Sequence, residues 1–179
     1  MKYILILTTC FFLVGASCDK QVDELSKLPP VTQHGARTFG CLVNGKAWVP
    51  EISGYIIGSP PLKFYYDNII GGQFAISATL QKNDIDQWIG IGIDSCTNTG
   101  IYRFQKSVNH PKRFTFTDYK NLNCELSTRR DSTVIAEGII YITRFDLPSG
   151  IISGTFEFNL SKAGCTTVSI TNGRFDAKL

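Results

Sequence analysis

From residue 38 onward, apolar and polar positions alternate with a period of two, the repeat of a strand that buries one face. In "QFAISATL" (73–80), Phe74, Ile76, Ala78 and Leu80 fall on one side while Ala75, Ser77 and Thr79 fall on the other. "WIGIGID" (88–94) repeats this with Ile89, Ile91 and Ile93 against Gly90 and Gly92, and the glycine face leaves room for a neighbouring ring or a ligand. In "FGCLVNGKAWV" two β-rich runs flank Asn44-Gly45, a pair that accepts positive φ at both centres of a type I′ turn, so a hairpin is expected there. Further strands are expected at 63–66, 101–105, 113–118, 134–144, 151–160, 167–171 and 174–178. "NHPK", "DLPSG" and "SKAGC" supply turn residues between them. The pattern predicts an all-β domain over 38–179, an antiparallel β-sandwich or partly closed barrel of about ten short strands.

The pattern differs before residue 38. Residues 3–16 form an apolar run behind Lys2, and Gly15, Ala16 and Ser17 then lead into Cys18. That is the layout of an export signal, and the run is shorter than the roughly 18 to 20 residues of a membrane span. Cys18 directly after small residues resembles the lipobox of bacterial lipoproteins, with Gly15 where that motif usually has a branched residue. The expectation is a lipoprotein signal peptide at 1–17, lipid attachment at Cys18, and a flexible tether at 18–37. The tether "DKQVDELSKLPPVTQHGAR" is polar and carries Pro29 and Pro30; as a free coil it would span roughly 25 Å.

Composition narrows the function. Charged residues make up 18% and aromatics 12%, which argues for a folded core over disorder. The formal net charge of +3 falls to +2 without Lys2, so no nucleic-acid-binding surface is expected. In an oxidising compartment Cys41, Cys96, Cys124 and Cys165 are disulfide candidates. Three pairings are open, and Cys96 with Cys124 plus Cys41 with Cys165 is the expected set. No CxxC spacing, GxSxG, phosphate-binding glycine loop or HExxH occurs, so neither a cofactor nor a metal is expected. His34 falls in the tether and His110 precedes Pro111.

Binding candidates are the aromatics Trp88, Tyr65 and Tyr66, which could stack on a glycan or anchor a protein partner. A carboxylate pair drawn from Glu137, Glu157, Asp94 and Asp118 would instead suit an envelope glycan hydrolase. Asp84 and Asp86 form an acidic turn.

Three stretches, "TFGCLVNGKAW", "GIISGTFEFNL" and "ITNGRFDAKL", resemble a domain of unknown function found in lipoproteins of the Bacteroidota. The resemblance implies a compact β domain behind a lipid anchor at the cell envelope, most simply in the outer membrane, and it transfers no catalytic residue. Within these motifs Trp48 and Phe156 read as core aromatics, and Arg174 and Asp176 as ties from the last strand to a neighbour. "DST" at 131–133 resembles the three-residue O-glycosylation motif of the same group, with Ser132 as acceptor. Together these readings predict a non-enzymatic binding or structural module held to its membrane by lipid.

Overall fold

The computed structural model describes residues 19–53, 60–69, 71–104 and 112–179. The expected signal at 1–17, Cys18 and His110 lie outside the described residues. The elements in chain order are α1 (Asp19–Ser26), β1 (Thr38–Val43), β2 (Lys46–Trp48), β3 (Glu51–Ile52), β4 (Leu62–Asp67), β5 (Gln73–Lys82), β6 (Ile85–Ile93), β7 (Gly100–Phe104), β8 (Lys112–Asp118), β9 (Leu126–Ser127), β10 (Ile135–Asp146), β11 (Ile151–Ser161) and β12 (Val168–Lys178). A 3-10 turn at Leu122–Cys124 precedes β9.

The strands form two sheets. The first runs β2-β1-β12-β11-β10-β7; the second runs β3-β5-β6-β8-β9, with β4 also paired to β5. Alternation sets the packing, because Phe74, Ile76, Ala78 and Leu80 are buried along β5 and Ile89, Ile91 and Ile93 along β6. Aromatic rings join the sheets: Phe114 of β8 stacks on Phe158 of β11 at 3.9 Å between centroids, and Phe74 of β5 meets Phe175 of β12 at 5.6 Å. The result is a β-sandwich. Asn44 and Gly45 take φ of 50° and 79°, and Val43 pairs with Lys46, which is the expected hairpin. The expected strands 167–171 and 174–178 merge into one, β12, which begins at Val168 and has a bulge against β11 between Phe156 and Phe158.

Two expectations are corrected. The segment after Cys18 is folded onto the domain. Asp19–Ser26 is helical, and Glu24 Oε2 accepts the backbone N–H of Ala47 at 2.6 Å. Leu28 is 7% exposed, and a Cβ on Gly40 would stand 2.6 Å from Pro29 Cδ, so β1 needs glycine where the segment crosses it. Asp176 then holds residues 32–36: its carboxylate accepts from Thr32 Oγ1 at 2.7 Å and from the backbone N–H groups of His34, Gly35 and Ala36 at 3.1, 2.9 and 3.0 Å. Arg174 and Arg144 add bonds to the Pro29 and Gln33 carbonyls. Residues 28–36 are therefore a strap across the outer face of the first sheet.

The cysteine pairing also differs. Cys124 bonds Cys165, with Cα atoms 5.5 Å apart, while Cys41 and Cys96 are free and buried. Cys96 follows β6 and Cys124 follows β8, and these antiparallel strands pair Ile93 with Lys112 and Gln87 with Asp118. The two cysteines thus lie at opposite ends of the seven-residue β8, roughly 23 Å of strand apart, against the limit of about 7 Å for a disulfide. Cys41 is buried in β1 opposite Trp48, and Cys165 of the β11–β12 turn is taken by Cys124.

Candidate functional site

A concavity lies on the outer face of the first sheet, where β7, β10, β11 and β12 run side by side. Alternation that turns Ile140, Ile142, Phe156 and Phe158 into the core turns Ile139, Tyr141, Glu137, Glu157 and Asn159 outward. The register aligns them in rows. Arg103, Ile139 and Glu157 are cross-strand neighbours; Ile101, Tyr141, Thr155 and Arg174 form the next row; Glu137 and Asn159 form a third. Bulges between Ile142 and Arg144 and between Phe156 and Phe158 bend the strands.

Two contiguous hollows follow. One, of about 550 Å³, is lined by Arg103, Glu137, Glu157 and Asn159 among others; the second, of about 430 Å³, by Tyr141, Thr155, Glu157, Arg174 and Val31 of the strap. The strap therefore walls the groove along one side. Tyr141 is 47% exposed and presents its ring to solvent, and Ile139 lies on the floor between charged neighbours. Carboxylate, guanidinium and amide groups around an exposed ring can hydrogen-bond many hydroxyls while the ring stacks on an apolar face.

The aromatics singled out in the sequence lie on the second sheet. Tyr66 turns inward, with its hydroxyl on the Cys96 carbonyl at 3.2 Å and its ring against Phe145. Tyr65 is 52% exposed, and its hydroxyl donates to Asp67. Trp88 lies flat over Gly90, where an added Cβ would come within 2.6 Å of the indole, and its Nε1 donates to Ser77 at 2.8 Å. The glycine face of β6 is filled there by a ring, one of the two occupants expected.

The carboxylates divide. Asp94 is engaged by Arg113 and Gln73 near one end of the second sheet, and Asp118 by Gln87 and Lys120 N near the other. Asp84 pairs with Lys120. Of the four candidates, Glu137 and Glu157 line one hollow together. Ser132 is exposed in a loop that Asp131 organises by accepting from Thr133 and pairing with Lys162 at 2.9 Å. Those partners, Thr133 first, bring the Asp131 carboxyl down to about 2. Among the described residues, no three His, Cys, Asp or Glu side chains gather as a metal site, and no helix is long and apolar enough to cross a membrane.

Sequence reading named Glu137 and Glu157 but missed Arg103, Asn159 and Tyr141 as members of one site. The signal was present as outward phase on three strands, but which strands adjoin is a matter of topology. A family model described as "Domain of unknown function (DUF6252)" matches residues 65–177. No curated protein and no solved structure matches the chain.

Proposed function

The chain belongs to the DUF6252 family, and from that premise we propose that it is a lipid-anchored cell-envelope module that holds a glycan in the groove of its first sheet without transforming it. The observation that carries the reading is the row of Ile101, Tyr141, Thr155 and Arg174 beside Arg103 and Glu157: an exposed ring amid paired donors and acceptors. The export-type run and Cys18 support the anchor. Two or more acyl chains on that residue hold firmly where a single chain would hold reversibly, and the outer membrane is the expected site.

The test is binding of the purified domain to a panel of envelope and host glycans, with Tyr141→Ala and Glu157→Gln compared with the parent. Loss of one stacked ring and one hydrogen-bonding group should each weaken capture about tenfold or more, at unchanged thermal midpoint. Capture that survives both substitutions removes the groove as the site. Intact-mass analysis of membrane-extracted protein tests the anchor, since Cys18→Ser should abolish the lipid mass.

A second reading has one observation in its favour. Glu137 pairs with Asn159 and Glu157 with Ile139, so the two acids are diagonal neighbours. Diagonal positions stand roughly 7 to 8 Å apart, from which two glutamate side chains can set their carboxyls at the roughly 6.5 to 9.5 Å of an inverting glycosidase. Hydrolysis of any bound glycan, lost in Glu137→Gln and Glu157→Gln, would establish this reading over the first.

A further inference from the structure

Several structural features converge on one end of the sandwich. The β1–β2 hairpin tip carries exposed Lys46, and Asn44 is bonded to Ser169 at the start of β12. Trp48 Nε1 donates to Gln87, which brings the start of β6 to the same end. The turn between β5 and β6, with Ile85, is joined to the segment after β8 by Tyr119 N donating to Asp86 O and by the Lys120–Asp84 pair. The Cys124–Cys165 bond closes the set by tying that segment to the β11–β12 turn. This end exposes Ile85, Tyr119 and Leu122 at 44%, 48% and 62%.

Helix α1 leads to this end. Leu28 packs at Gly40, in the middle of β1, whereas Glu24 bonds Ala47, which pairs with Leu42 nearer the hairpin tip. Going backward along the helix therefore moves toward the tip, and Asp19, the residue after Cys18, lies about one and a half turns of helix beyond Glu24. The Glu24 bond to Ala47 and the packing of Leu28 at Gly40 hold this segment against the domain.

We infer that the hairpin end is the membrane-facing end, resting on the lipid headgroup layer with Ile85, Tyr119 and Leu122 at the interface and Lys46 beside them, while the β10–β11 turn points away. The inference rests on the proposed acylation of Cys18. Tyrosine and aliphatic tips with lysines are the side chains that sit at headgroup level. Most charges there are already paired, Lys120 with Asp84 and Lys162 with Asp131. The patch therefore orients a domain that the acyl chains hold; it does not bind membranes alone. The groove, standing on the strap side of the sandwich, opens sideways above the surface.

The experiment uses the full lipidated chain in phosphatidylethanolamine–phosphatidylglycerol vesicles containing lipids brominated near the headgroup. Quenching of Trp fluorescence is compared for Tyr119→Trp and Tyr65→Trp, each as the increment over the parent, whose Trp48 and Trp88 emit in every variant; the two positions stand about 20 Å apart along the strands. Both are exposed aromatic exchanges, and near-ultraviolet circular dichroism checks that the fold is kept. The expected result is quenching several-fold stronger for the Tyr119→Trp reporter. Equal quenching at both sites, or stronger quenching at the Tyr65 site, in protein that floats with the vesicles overturns the orientation and leaves the anchor standing. Protein whose mass lacks lipid and which fails to float overturns both readings.

Discussion

Ser153 Oγ donates to Asp176 Oδ1 at 2.6 Å between paired residues of β11 and β12, and neither side chain is exposed to solvent. With one oxygen fixed by its own sheet, the carboxylate turns the rest of its capacity to the strap, accepting from Thr32, His34, Gly35 and Ala36. A single acid thus converts a proline-bearing polar segment into part of the domain.

Removing that acid should free the strap. Asp176→Ala leaves several donors without a partner at a buried site, and a cost on the order of 3 kcal/mol is expected. Chemical denaturation should show the loss, and limited proteolysis should cut within 28–37 in the variant while sparing the parent. Resistance equal to the parent's would show that Gly40, Arg144 and Arg174 hold the strap without it.

Acid should act through the same group. Burial raises the Asp176 carboxyl, but hydrogen bonds from Ala36, Ser153, Thr32 and Gly35 outweigh it and bring it from 3.8 down to about 2. The unfolded chain then takes up the proton first, so this contribution is complete above about pH 4 and is lost as pH falls toward 2. It amounts to on the order of 2 kcal/mol. Asp131 titrates in the same direction, so the measurement is the difference in urea midpoint between the parent and Asp176→Asn at pH 6 and pH 2.5. The gap should narrow in acid.

The thiols give a count. Burial pushes the Cys41 thiol up, and pushes Cys96 up to about 11. In protein comprising residues 19–179, neither should react with a disulfide reagent until the fold is opened, and two thiols should then appear. Reduction of Cys124–Cys165, which closes a loop with a separation of 41 residues, should lower stability by roughly 2 to 4 kcal/mol. Peptide mapping that links Cys96 to Cys124 would contradict the fold's strand order.

Trp88 offers a spectroscopic check. Gly90→Ala places a methyl against the indole that covers it, so the ring must lift from the sheet and loosen its bond to Ser77. A cost of about 1 to 2 kcal/mol is expected, with a red shift in tryptophan emission.

The strand pattern was legible because alternation is a local property: Phe74 to Leu80 and Ile89 to Ile93 declare their buried sides without reference to any partner. Asn44-Gly45 announced its turn for the same reason, since positive φ at two residues is a requirement those side chains meet. What the chain alone did not reveal depended on which distant residues meet. The disulfide followed strand direction, which sends Cys96 and Cys124 to opposite ends. The groove followed strand order, which sets Arg103, Tyr141 and Glu157 side by side. The strap followed from Asp176, which lies 140 positions from the Ala36 amide it accepts. Local preference reads segment 19–37 as coil; a buried carboxylate seeking donors and a glycine without a Cβ at residue 40 make it structure, because long-range hydrogen bonds and packing outweigh the entropy of ordering it.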